Sequence, residues 1–184
     1  YVNGHFSTVL SNSVLEHIRE VEPVLHEVAR VLRPGGHFIF TVPSDVFRQM
    51  LDGYIRHAEA GDLQGAEAYA SAIDQRLAHH HYHAPAEWES LLSEAGMTLL
   101  KTEYYIPEQV ERYWDRVNNR YGVNQRTSAW RVLASPRLRA LGYQGLVRRL
   151  VVSCLSRRWR SYYEMDVKPG SKGGGLLVVA QRKE

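Results

Sequence analysis

The chain has 184 residues, 44% hydrophobic and 23% charged, an ordinary composition for a globular domain with core enough to fold as one unit. Its net charge of +3 is too small to argue for a nucleic-acid partner, and none is expected. The single cysteine, Cys154, excludes a disulfide within the chain and points to a reducing, cytoplasmic compartment; no run of about 18 apolar residues predicts a spanning helix.

The first element is the short apolar run FSTVLSN, Phe6 to Asn12, read as a buried strand ending at Ser11 and Asn12. In EVEPVLHEVARVLRPGG the residues Val21, Val24, Leu25, Val28, Val31 and Leu32 recur every three or four positions, which predicts an amphipathic helix. Pro34 forbids its continuation, and Gly35-Gly36 supply a turn into a second strand, His37 to Val42. Two apolar strands joined by such a helix make a βαβ unit, so the strands should run parallel. Two helices are expected next, at Val46 to Ala60 and Leu63 to Ala78, punctuated by Gly61-Asp62. Pro85 opens a further helix whose Trp88, Leu91, Leu92 and Ala95 share a face, and Gly96 closes it. A strand over Thr98 to Ile106, a mainly helical segment from Pro107 to about Asp166, a flexible loop KPGSKGGG and a terminal strand Leu176 to Gln181 complete the chain.

The segments VLSNSVLEHI, LHEVARVLRPGGHFIFTVP and HAPAEWESLLSEAGM, in that order and spacing, resemble the C-terminal half of class I S-adenosylmethionine-dependent methyltransferases. The resemblance is strongest over Phe6 to Ile106. It implies an α/β fold, a partial Rossmann-like sheet made of the family's strands four to seven, with the last strand antiparallel between its second and third neighbours. Residues 1–184 would form one partial methyltransferase domain with helical insertions at 45–83 and 107–172. The resemblance places three further strands, a glycine-rich loop and an acidic ribose-binding residue ahead of Tyr1. No G-x-G-x-x-G occurs in the chain, so it is expected to be a fragment, inactive alone and binding the cofactor weakly or not at all.

In sheets of this kind ligands sit beyond the carboxyl ends of the strands. The resemblance therefore puts Ser11, Asn12 and Ser13 beside the methionine part of S-adenosylmethionine; helix capping is their plainer role. Glu16 should line the pocket with His17, which could act as a base, although methyl transfer needs mainly alignment and exclusion of water. Thr41, Pro43 and Ser44 follow the second strand and are expected on the substrate side, as are His81, Tyr82 and His83. The run HHHYH, His79 to His83, is not expected to hold a metal. Consecutive histidines diverge, only His79 and His83 are spaced i, i+4, and further ligands with an orienting shell would be needed. The acceptor is expected to be a small or lipid-like molecule.

Between Arg126 and Arg160 arginines are dense and no Asp or Glu occurs. Within this stretch Gly145 to Arg160 is basic and amphipathic, with Leu146, Val147, Leu150, Val151, Cys154 and Leu155 on one face. Covering the core is its plainer role; peripheral docking on an anionic membrane over residues 145–160 is the sharper one. A methyltransferase-like module that binds a membrane or protein without catalysis is the competing reading of the whole chain. The strand Phe6 to Ser11, with no Lys, Pro or Asp to blunt it, is expected to self-associate if left at a sheet edge.

Overall fold

The computed structural model describes residues 1–121 and 144–184. Strand β1 (Phe6–Asn12) leads through a single 3₁₀ turn (Leu15–His17) to helix α1 (Glu22–Val31), which passes directly into the long strand β2 (Leu32–Pro43). A second 3₁₀ turn (Arg48–Met50) and helices α2 (Asp52–Glu59), α3 (Leu63–Leu77) and α4 (Pro85–Glu94) precede β3 (Met97–Tyr105). Helices α5 (Glu108–Tyr121) and α6 (Gln144–Tyr163) and strand β4 (Gly175–Arg182) complete the described elements.

The four strands form one mixed sheet in the order β1-β2-β4-β3. β1 and β2 are parallel, Val9 facing Phe38 and Ser11 facing Phe40. β4 runs antiparallel to both neighbours, with Val178 opposite Phe40 on one side and Thr102 on the other. This is the arrangement expected from the resemblance.

Alternation explains which face is covered. Phe38, Phe40 and Val42 of β2 and Leu176, Val178 and Ala180 of β4 point to one side, where Leu25 and Ala29 of α1 and Trp88 and Leu92 of α4 complete the main core. The intervening residues Ile39, Thr41, Leu177 and Val179 are only half-buried. Pro85 sits in the first turn of α4, and the Glu87 carboxylate accepts the Ala84 N–H at 2.6 Å, which fixes the start of the helix. A second, smaller core joins Phe47, Leu51 and Ile73 to Tyr54, Tyr69, Leu77, Tyr82 and Trp114. It binds α2, α3 and α5 to the segment after β2.

Three expectations are corrected. The second strand begins at Leu32 rather than His37, so Pro34, Gly35 and Gly36 lie in an irregular first part of β2 and not in a turn ahead of it. The helix over Val46 to Ala60 divides into a 3₁₀ turn and the short α2, with Leu51 in an extended conformation between them. The glycine run 173–175, expected in a free loop, is buried against its neighbours, and Gly175 already belongs to β4. All three glycines are buried, because a Cβ there would lie 2.4 Å from the Tyr105 carbonyl, 2.7 Å from the Glu111 carboxylate and 2.5 Å from the Tyr105 ring, respectively. Residues 126 and 131–139 of the arginine-rich stretch lie outside the described residues, as do the side chains of Leu146, Val147, Leu150, Val151 and Leu155. Cys154, expected on the apolar face of that stretch, is exposed. Among the described residues no helix is long and apolar enough to cross a membrane.

Candidate active site

A cavity of about 530 Å³ opens at the carboxyl ends of β1 and β2. Its sheet side is Ser13, Val42 and Pro43; its back is Gly174 and Gly175 at the start of β4, with Tyr105 and Ile106 at the end of β3. The helices supply an apolar wall of Phe47, Leu77, Val110, Trp114 and Trp159, and the acid Glu111. Glu16, His17 and His79 close the remaining side.

The backbone around this cavity is held in unusual conformations. Ser13, Ala78 and Ile106 have positive φ values of 51°, 57° and 62°. Two of them line the cavity and the third lies between Leu77 and His79, which also line it. Such conformations cost free energy, most for a β-branched residue such as Ile106, and persist only where surrounding bonds enforce them. Those bonds are present: the Ser13 N–H donates to the Thr41 carbonyl, Gly174 N–H to the Ile106 carbonyl, and Ser44 N–H to the Gly174 carbonyl.

The 3₁₀ turn carrying Glu16 and His17 is anchored by Leu15, which is buried in the main core. It is clamped to the histidine run from both sides. His80 N–H donates to the Glu16 carbonyl at 2.8 Å, His81 Nε2 to the Ile18 carbonyl at 3.0 Å, and His17 Nδ1 to the Ala78 carbonyl at 3.1 Å. The Glu16 carboxyl is 2% exposed, and burial raises its pKa against the opposing influence of its backbone hydrogen bond and His17. Its Oε2 has no hydrogen-bond partner among the described residues. Burial also lowers the pKa of His79 to about 4, with the His17 charge acting in the same direction, so this imidazole is neutral at pH 7. Across the cavity, Glu111 is raised to about 7 by burial and by the Asp115 charge.

Of the residues singled out from sequence, Ser13, Glu16, His17 and Pro43 line the cavity. Ser11 and Asn12 end β1 beside it, and Thr41 Oγ1 donates to Asn12 Oδ1 at 2.6 Å, fixing the polar end of that strand. Ser44 is fully buried and donates to the Gly173 carbonyl at 2.5 Å, so it ties the β2 end to the glycine run. His81 and His83 stack on each other 4.5 Å apart and against Trp88, while Tyr82 stacks on Phe47 and donates to Asp74. His79 is the member of the run that lines the cavity. Glu111, Trp114 and Trp159 were not singled out as site residues. Their helical spacing signalled packing, and nothing in the local pattern said what the helix would pack against.

A profile of the methyltransferase domain matches residues 1–102. The chain belongs to this family. Solved structures agree at the level of the fold, which is that of class I methyltransferases. A proposed sarcosine dimethylglycine methyltransferase from Galdieria sulphuraria is 17% identical with a TM-score of 0.51, over 100% of this chain and 55% of that one. Phosphoethanolamine N-methyltransferase 2 of Haemonchus contortus, in complex with S-adenosyl-L-methionine, is 13% identical with a TM-score of 0.50, over 100% of this chain and 35% of that one. The chain thus spans about half the length of the first of these methyltransferases and a third of the second. No curated protein sequence matches it.

Proposed function

We propose that this chain forms the acceptor side of an S-adenosylmethionine-dependent methyltransferase, with the cavity at the ends of β1 and β2 holding a small acceptor beside the methyl donor. The observation that carries this reading is the character of the cavity. It is walled by Phe47, Tyr105, Trp114 and Trp159, carries the buried acids Glu16 and Glu111, and has no Lys or Arg among its described lining residues. Aromatic faces and desolvated carboxylates favour a cation, and the methyl donor is a sulfonium. The residues present therefore fit the reactive end of that cofactor.

Ser11, Asn12 and Ser13 would meet the methionine part of the donor, which when bound supplies an electrophilic methyl group. The chain's own residues do the rest. The aromatic wall takes the apolar body of the acceptor and excludes water, and the strained loops at Ser13 and Ile106 fix the approach direction. His17, its Nδ1–H held by the Ala78 carbonyl, presents Nε2 as an acceptor for a proton leaving the nucleophile. A base is needed only for an acceptor that loses a proton.

Ultraviolet photolabelling with methyl-tritiated S-adenosylmethionine at millimolar concentration, followed by peptide mapping, tests the assignment. Label that is displaced by S-adenosylhomocysteine and maps to residues 11–17 or 105–114 is the expected result. Label that is not displaceable, or that maps elsewhere, overturns it.

A further inference from the structure

Two segments some sixty positions apart in sequence bring three metal-ligating groups together at one side of the cavity. The Glu16 carboxylate and the His17 and His79 imidazoles place their ligand atoms within 4.8 Å of one another. The hydrogen bonds behind the two rings decide what they present. His17 Nδ1 faces the Ala78 carbonyl, which can only accept, so Nδ1 carries the proton and Nε2 the lone pair. Tyr82 uses its one hydroxyl proton on Asp74 at 2.5 Å, so the 2.9 Å contact with His79 Nδ1 is donated by the imidazole. His79 Nε2 is then a lone pair as well. An Nδ1–H tied to a carbonyl or to a carboxylate-linked hydroxyl is the outer shell that orients metal-binding histidines.

Glu16 supplies the independent observation. Its side chain is almost wholly buried at the same wall, and Oε2 is unpartnered. A desolvated carboxylate short of donors is costly, and a cation held at its other oxygen, Oε1, which lies 3.9 Å from His17 Nε2, lowers that cost for the whole group. We propose that Glu16, His17 and His79 bind a divalent first-row transition metal ion, of the Zn²⁺ or Co²⁺ kind, with its remaining coordination positions open to the cavity. Two imidazoles and one carboxylate suit such borderline ions better than Mg²⁺ or Ca²⁺, which prefer all-oxygen sites. Donors at about 2.1 Å from a shared ion are at most about 4.2 Å apart. His17 Nε2 and Glu16 Oε1 already meet this at 3.9 Å, and the trio as a whole, within 4.8 Å, exceeds it by no more than about 0.6 Å.

This departs from the expectation that the histidine run holds no metal. The run does not act as a unit: His81 and His83 pack on Trp88 and His80 is exposed, leaving His79 to join ligands from the 3₁₀ turn. The role of the ion rests on the methyl-transfer reading: an acceptor oxygen could replace water in an open position, where a hydroxyl loses its proton more readily, and with the ion bound His17 is a ligand and no longer the base. Binding of the ion does not rest on it.

Titration of the 184-residue chain with CoCl₂, followed by visible d–d absorption and calorimetry, tests the site. One equivalent should bind with a low-micromolar dissociation constant, and Zn²⁺ should displace it. Glu16→Gln and His79→Ala should each weaken binding at least about tenfold. The double variant His80→Ala, His83→Ala should bind as the parent does. No saturable band up to millimolar Co²⁺ overturns the proposal, as does a band retained in Glu16→Gln or lost in the His80/His83 variant. If His79→Ala does not fold by circular dichroism, Glu16→Gln decides, because the amide keeps the shape of the acid. Cobalt binding together with methyl-donor label that is not displaceable, or that maps away from residues 11–17 and 105–114, would keep the metal site and overturn the methyl-transfer reading. Label without cobalt binding would do the reverse.

Discussion

Two buried carboxylates, Asp115 in the helical layer and Glu16 at the cavity, meet burial in opposite ways. Asp115 is fully buried and saturated with donors. Gly53 N–H reaches Oδ2 at 3.0 Å, the Tyr69 hydroxyl lies 2.8 Å from both oxygens, and Asn119 Nδ2 donates to Oδ1 at 3.2 Å. These bonds join α2, α3 and α5, so Asp115 acts as a staple of the scaffold. Glu16 is as deeply buried, yet one of its oxygens has no hydrogen-bond partner among the described residues. A buried acid whose donors all come from its own fold supports the fold. One left short of donors in the wall of a cavity has bonding capacity that its own fold does not fill. Glu111 lies between the two cases, close enough to Asp115 to feel its charge and open to the cavity.

The largest effect should come from removing the staple. Asp115→Ala strands donors on three helices and should destabilise the chain by on the order of 4 kcal/mol in urea denaturation. A loss below about 1 kcal/mol would show that water replaces the carboxylate and that the comparison fails on this side.

Glu111 gives the next largest effect, and its sign is specific. Its pKa is raised from 4.5 to about 7 in the folded chain, so between those values the folded state holds a proton that the unfolded state has lost. Stability then falls as pH rises through this window, by up to about 3 kcal/mol above it. Glu111→Gln should therefore be more stable than the parent at pH 8, and the difference should vanish near pH 4. A difference independent of pH would mean that the carboxyl is not desolvated. His79 carries the opposite sign. Its pKa is lowered to about 4, so its contribution is lost as pH falls from 6.5 toward 4.

For Glu16 the comparison predicts a small gain. Glu16→Gln removes an under-bonded buried charge and should leave the metal-free chain unchanged or more stable by about 1 kcal/mol. Destabilisation like that of Asp115→Ala would show that Glu16 is a scaffold residue too. The smallest change in stability is expected at a site touching neither acid. β1 lies at the sheet edge with Leu10 73% exposed. Thr8→Lys there should alter stability by less than about 0.5 kcal/mol. It should nevertheless reduce concentration-dependent self-association in sedimentation, because a charge blunts an open strand edge. Equal association of both forms would place the contact elsewhere.

Local chemistry made the framework readable. Period-two and period-3.6 patterns, with Pro85 and Gly96 around α4, placed β1, β3, β4 and the helices α1, α3 and α4 within a few residues, and the family likeness ordered the sheet; β2 reads five residues too short at its start, because Pro34 and two glycines signal a turn. The strand-end residues Ser13, Glu16, His17 and Pro43 were readable as cavity residues for the same reason, since a parallel βαβ unit dictates where its carboxyl ends point. Only the tertiary structure decided the rest. KGGG reads as a loop because glycine's local signal is freedom, whereas its use here is to let Tyr105 and Glu111 approach the backbone closely. HHHYH reads as one polar-aromatic run, yet His79 meets Tyr82 at the cavity, His81 meets the Ile18 carbonyl, His83 packs on Trp88 and His80 is exposed. The sequence shows Glu16 and Asp115 only as two acids. Which is saturated and which is left short depends on Gly53, Tyr69 and Asn119 arriving from elsewhere in the chain, because burial and donor supply are properties of packing, not of a residue and its neighbours in sequence.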